Sequence, residues 1–111
     1  MPFVDTNDLT PKEPLPGWVG RFFHSEHMTF AYYDIAPGAR LHLHHHPNEE
    51  VWHIIEGELE LVLGDSTMVV RAGQAVVVPP DVEHSASASR PCRAIVVDHP
   101  ARTHVGSVDI R

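Results

Sequence analysis

Between Met28 and Asp98 the chain is punctuated too often for helices. Pro37-Gly38, Glu56-Gly57, Gly64-Asp65, Ala72-Gly73 and Pro79-Pro80 each read as a turn. The stretches between them are short and rich in β-branched or aromatic residues: Met28–Ala36, Leu41–His46, Val51–Ile55, Glu58–Leu63, Thr67–Arg71, Ala75–Val78, Glu83–Ser89 and Arg93–Asp98. None shows helical periodicity with caps. Short strands recurring every ~8–12 residues predict an all-β sandwich or barrel. Residues 1–17 carry Pro2, Pro11, Pro14, Pro16 and Gly17, which predicts an extended N-terminal arm ahead of one domain over 18–111.

Composition narrows the partners. At 111 residues and 42% hydrophobic, the chain supports one core. No apolar run approaches the ~20 residues of a membrane span, and no basic segment followed by an apolar one opens the chain. A cytoplasmic protein with no membrane partner is expected. Eight Lys+Arg against fifteen Asp+Glu, for a net charge of -7, leave no basic stripe for phosphate backbones, so no nucleic acid is expected either. The lone Cys92 excludes an internal disulfide framework and reads as a packed or surface residue.

Ten histidines are a heavy loading for this length. His24, His27, His99 and His104 read as scattered surface residues. The run Leu41–Glu50 does not, because it gathers four histidines and two carboxylates. If it is extended, side chains alternate between faces. His42, His44 and His46 then point one way and His45 the other. Rings two residues apart stand about 6.6 Å apart at Cα. Pro47-Asn48 turns the chain so that Glu50 can face the same interior, with Glu49 facing outward. Pro79-Pro80-Asp81 ends one strand and aims the next, which carries His84. Gly38, Gly57 and Gly73 fall where turns need permissive dihedrals. Neutral imidazoles on one face, backed by a carboxylate, form a donor set for a divalent transition metal.

The spacing Gly38-x5-His44-x-His46-x3-Glu50-x6-Gly57, followed by Gly73-x5-Pro79-x-Asp81-x2-His84, resembles the two signatures of the cupin superfamily, in particular its small single-domain bacterial members. The first signature is matched at every defined position. The second departs at Asp81, where the family has glycine, and at Ala88, where it has asparagine. The motif core is 38–88, and the resemblance covers roughly residues 28–98. It implies a double-stranded β-helix, or jelly-roll barrel, with a metal at its centre. It implies His44, His46, Glu50 and His84 as ligands to a divalent ion such as Fe, Mn, Ni or Zn. On an octahedral ion two positions stay open, which suits catalysis on a small-molecule substrate.

Trp52 and Ile54 share the interior face with Glu50, and Phe30 with Tyr32, or else Tyr33, are candidate walls. Candidate catalytic residues are Arg102, Tyr32 and His42; Arg40 is a second cation that could hold an anionic substrate. Two enzyme readings follow. One is dioxygenase-type C–C cleavage of an enolic or diol substrate. The other is Lewis-acid isomerisation or hydration of a sugar acid. Pro100-Ala101-Arg102 matches the Pro-x-Arg tail of a pectin-degradation cupin, but Val96 and Asp98 stand where that enzyme's Asp and Phe would align. A non-catalytic small-ligand-binding module is the contrasting class. Val51 and Ile55, with His53 between them, oppose Glu50, Trp52 and Ile54, so both faces of this strand are largely apolar. A second sheet, the arm or another subunit must cover its back. A homodimer is expected, with His53 at an interface.

Overall fold

The computed structural model describes residues 3–111; Met1 and Pro2, at the start of the expected arm, lie outside the described residues. Strands occupy the segments between the turns. They are β1 (Lys12–Leu15), β2 (Trp18–His24), β3 (Thr29–Ile35), β4 (Arg40–His44), β5 (Glu49–Glu56) and β6 (Glu58–Leu63) in the first half. The second half adds β7 (Ser66–Arg71), β8 (Ala75–Val78), β9 (His84–Ser87), β10 (Cys92–His99), β11 (His104–Val105) and β12 (Val108–Asp109).

Two antiparallel sheets hold all but the last two strands. One runs β1-β2-β3-β10-β5-β8, the other β4-β9-β6-β7, and β11 and β12 pair as a small hairpin. Consecutive strands often pass to opposite sheets, so β10 inserts between β3 and β5, and β9 between β4 and β6. This nesting is the all-β jelly-roll arrangement that the turn spacing predicts.

Period-2 alternation decides what is inside. In β10, Cys92, Ala94, Val96 and Asp98 are buried, and the residues between them are not. In β5, Glu50, Trp52 and Ile54 turn inward. Residues of the larger sheet (Trp18, Phe22, Trp52, Ile54) and of the smaller one (Leu59, Leu61) merge into one buried cluster. At its heart Trp18 meets Tyr33 and Trp52 edge-on, with ring centroids 5.6 and 5.8 Å apart. Such pairs each add about 0.5–1.5 kcal/mol beyond the area they bury. Cys92 is buried in this core, and burial pushes its thiol up, away from the reactive thiolate form.

The N-terminal stretch is more structured than an extended arm. Thr6–Asp8 is a 3-10 turn capped by the Asp5 carboxylate, which accepts a hydrogen bond from the Asn7 N–H. Lys12–Leu15 forms the edge strand β1 and pairs antiparallel with β2, so this half of the stretch belongs to the sheet. Among the described residues, no helix is long and apolar enough to cross a membrane.

Two turns show why the sequence motifs need their residue types. Gly57 has φ +76°, and a Cβ there would collide with the Pro91 carbonyl oxygen. Asp81, standing where the resemblance has glycine, adopts φ 63°, a region that Asp tolerates better than most side chains. Gly57→Ala is therefore expected to cost at least ~2 kcal/mol, combining backbone strain with a clash against main chain. Urea unfolding followed by circular dichroism measures this; a loss below ~0.5 kcal/mol would show that the turn relaxes freely.

Candidate metal centre

The three inward histidines come from β4, the short segment that follows it, and β9. His44 ends β4 and His84 begins β9, and the two are direct cross-strand partners. The pairing is not regular. Leu41 opposes Ala86 while His44 opposes His84, so three steps along β4 match two along β9. This bulge lets Leu41 and His44 both face inward. It overturns the simple alternation that would put His42, His44 and His46 on one face. His42 is exposed at the cavity rim, its ring centroid 5.3 Å from that of His44. His46 follows β4, buried, and its carbonyl accepts a hydrogen bond from the Asp81 N–H at 2.8 Å. His45 points away, its side chain 61% exposed.

Each ring is oriented by a main-chain carbonyl. Nδ1–H of His44 donates to His42 O at 2.8 Å, that of His46 to Asn48 O at 3.1 Å, and that of His84 to Val82 O at 2.9 Å. A proton held on Nδ1 leaves the Nε2 lone pair free. The ring centroids lie 4.3 Å (His44–His84), 4.9 Å (His46–His84) and 5.5 Å (His44–His46) apart. One ring nitrogen from each of the three falls within 4.8 Å of the others. His46 Nε2 and His84 Nε2 are buried without a hydrogen-bond partner. Both stand 3.4 Å from Glu50, one on each carboxylate oxygen.

Glu50 is 3% exposed, and everything around it is arranged about its charge. Trp52 Nε1–H donates to Oε1 at 2.5 Å, and Arg102 Nη1 lies 3.6 Å from Oε2. Burial works to raise the Glu50 carboxyl, but the imidazoles of His46 and His84 overcome it and hold the group well below the usual carboxylate range. For His84 burial favours the neutral ring, yet Glu50 outweighs it and raises the imidazole above its ordinary value. Burial, helped by the charges of His84 and His46, lowers His44. Orphaned nitrogens converging on a buried carboxylate are what a divalent cation would satisfy, so the donor chemistry fits a metal.

Asp98 was not identified from the sequence as a site residue. It faces Glu50 directly across β10 and β5, is 4% exposed, and its Oδ1 has no hydrogen-bond partner. Burial, with the Glu50 charge beside it, pushes its carboxyl up to about 9. Arg102 Nη1 is 3.9 Å from Asp98 Oδ2. Arg102 is itself held through its backbone. Its N–H donates to Thr29 Oγ1 at 2.8 Å, Thr29 Oγ1 is 2.8 Å from His24 Nδ1, and His24 Nε2 contacts Ile110 O at 2.8 Å. His24, which reads as a surface residue in sequence, thus ties the C-terminal segment to the barrel.

A cavity of about 260 Å³ opens beside the cluster. Trp18, Phe22, Tyr33 and Trp52 form its apolar wall; His44, Glu50, Asp98 and Arg102 are its chemical side, and His42 lines its mouth. Two of the three candidate catalytic residues, Arg102 and His42, therefore reach it. Tyr32 does not. It lies on the outer face of the sheet, and Tyr33, one residue on, takes the interior place with its hydroxyl pushed up by burial. Arg40 is exposed on β4 outside this cavity.

Comparison with known proteins agrees with this geometry. The cupin domain family matches residues 31–98. Polyketide synthase CurC of Streptomyces cyaneus is 41% identical over 49 residues, which are 43% of this chain and only 32% of that one. Among solved structures, an RmlC-like cupin from Shewanella frigidimarina superposes with a TM-score of 0.85 at 23% identity, over 90% of this chain and 91% of the other. KdgF from Halomonas sp. gives 0.85 at 21% identity, over 91% and 96%. At these identities the structural likeness is one of fold.

Two predictions follow from the centre. His84→Ala should weaken binding of Zn²⁺ or Ni²⁺ by more than the ~10–100-fold that loss of an outer partner costs, while His45→Ala leaves it unchanged; titration calorimetry separates the two, and equal losses would refute the facing of these rings. The pH dependence of stability should reverse with metal. In the metal-free protein, the raised His84 gives stability that is full below ~6.5 and lost as pH rises through its folded value, and the raised Asp98 loses stability over the same rise. Metal binding instead needs deprotonated rings. Melting temperature from pH 6 to pH 8 should fall with chelator present and rise with Zn²⁺ present; parallel slopes would count against the assignment.

Proposed function

Because the chain belongs to the cupin family, we propose that it is a metal-dependent enzyme working by Lewis-acid and proton-transfer chemistry on a small molecule with carbonyl or enol oxygens. One observation carries this reading. The three-imidazole, one-carboxylate set reaches the cavity through His44 and Glu50, which line it together with a second buried carboxyl, Asp98, and a cation, Arg102. A metal-binding module needs only the first set; proton transfer needs the second as well.

His44, His46, Glu50 and His84 would hold a divalent ion, which when bound supplies Lewis acidity toward a substrate oxygen. Arg102 presents a fixed positive charge on the same side and pairs with an anionic or enolate oxygen. In the metal-free protein, burial and the Glu50 charge push the Asp98 carboxyl up, toward the proton-bearing form. It can give that proton to an enolate carbon or oxygen and recover it in the reverse direction. Trp18, Phe22 and Trp52 exclude water and offer a flat apolar wall to the body of the substrate. The polyketide-named relative supports a substrate with several carbonyl groups. The dioxygenase reading uses the same four ligands but gives Asp98 no part.

The test is turnover of a panel of 1,3-dicarbonyl compounds and 2-oxo acids by the Zn²⁺-, Mn²⁺- and Fe²⁺-loaded protein, with and without O2. Activity that persists anaerobically is expected, and Asp98→Asn should reduce kcat by about 10²-fold or more with metal content unchanged. Oxygen uptake matching turnover would establish C–C cleavage by dioxygenation instead. Tight binding of one panel member without turnover would mean a binding module.

A further inference from the structure

His24 is an exposed residue whose two ring nitrogens are both committed to internal partners. It comes next after Phe22, a wall of the cavity, in the inward phase of β2. In the register of the larger sheet His24 opposes Thr29, Thr29 opposes Asp98, and Asp98 opposes Glu50. One polar row therefore crosses β2, β3, β10 and β5 and ends on the carboxylate of the candidate metal centre.

Donor chemistry fixes the direction of the bonds at the His24 end of this row. The Ile110 carbonyl can only accept, so His24 Nε2–H donates to it at 2.8 Å. Nδ1 then accepts from the Thr29 hydroxyl at 2.8 Å, and Thr29 Oγ1 keeps a lone pair for the Arg102 N–H at 2.8 Å. Thr29 is buried, so water does not compete for these places.

The segment held by these bonds supplies two different parts of the cavity lining. Arg102 brings the cation, while Val105 and Ile110, with Leu15 and Phe22 beside them, bring apolar wall. This part of the wall is lightly attached. β11 and β12 pair only with each other and join neither large sheet. Among the described residues, His24 and Lys12 are the side chains that tie 103–111 to the barrel by hydrogen bonds, and the bond from Lys12 Nζ to Asp109 O is exposed to solvent. What places the wall is the burial of Ile110 together with the His24 bond to its carbonyl.

We infer that His24 is a positioning residue that sets the length of substrate the cavity accepts. One ring pins Arg102 through Thr29 and Ile110 through its carbonyl. It thereby fixes both the charge that pairs with an anionic group and the wall that stops the rest of the molecule. The inference rests on the proposed function and adds a substrate class to it: a 2-oxo acid with an unbranched apolar tail. Leu15, Phe22, Val105 and Ile110 give a methylene chain contact, whereas the hydroxyls of a sugar acid would find no partner among them.

The test is binding of straight-chain 2-oxo acids, from pyruvate to 2-oxooctanoate, to the Zn²⁺-loaded protein, read by the fluorescence of Trp18 and Trp52 in the cavity wall. Wild-type affinity should rise about 4-fold per added methylene up to a cut-off and fall beyond it. His24→Phe keeps a ring and loses both bonds. It should weaken pyruvate binding several-fold and abolish the cut-off, with the far-UV spectrum and Zn²⁺ affinity unchanged. His24→Gln, whose amide has a donor and an acceptor, should recover most of both effects. Ile110→Ala should move the cut-off to longer acids and leave pyruvate binding unchanged, and His27→Ala should alter nothing. If His24→Phe loses its fold, His24→Ala and His24→Gln decide. A wild-type protein that binds none of the series would overturn the proposed function and this inference together. Binding by the wild type with the same profile in His24→Phe would overturn this inference alone. So would a shifted cut-off with pyruvate binding intact in that variant, or a His24→Gln no better than His24→Phe.

Discussion

Glu50 is the point on which the interior turns. A carboxylate this deeply buried is costly unless cations or donors meet both its oxygens. Here Trp52 donates to one oxygen and Arg102 stands by the other, and the rings of His46 and His84 approach one each. Each partner is in turn fixed by something else: the imidazoles by main-chain carbonyls, Arg102 by Thr29, Trp52 by its contact with Trp18. The core and the chemical site are therefore one structure, joined at β5, where Glu50 faces the cavity and Ile54 packs the core two turns of the pleat away.

This arrangement also sorts the two carboxyl groups. Glu50 is surrounded by positive or proton-bearing groups and stays ionised. Asp98, directly opposite, is left with Arg102 on one oxygen and nothing on the other, and keeps its proton. Two acids facing each other across strands thus take opposite protonation states because their neighbours differ. Pairs whose environments push their pKa values apart are a recurring means of holding an acid and a base at one pH.

Much of the centre is legible in the chain because its signals are local. Two histidines one residue apart, an acid four further on, and glycines or an Asp at positive-φ turns are properties of short segments, and short segments keep their meaning wherever they pack. His84 is legible for the same reason, through the Pro79–Asp81 turn ahead of it. The residues missed share a different property. Asp98 looks like the end of an apolar strand until β10 is laid beside β5. Tyr32 and Tyr33 are indistinguishable until the phase of β3 is known. His24 acquires a role only when Ile110, far along the chain, comes to rest beside it.

The sequence by itself determined an all-β sandwich or barrel, since turn chemistry and period-2 patterning act over a few residues, and its resemblance to the cupin signatures named the candidate donors. The tertiary structure decided which donors meet, where the bulge in β4 sends His42, and which acid keeps its proton. Those outcomes depend on register between strands distant in the chain, and a shift of one residue would exchange every inward side chain for its neighbour.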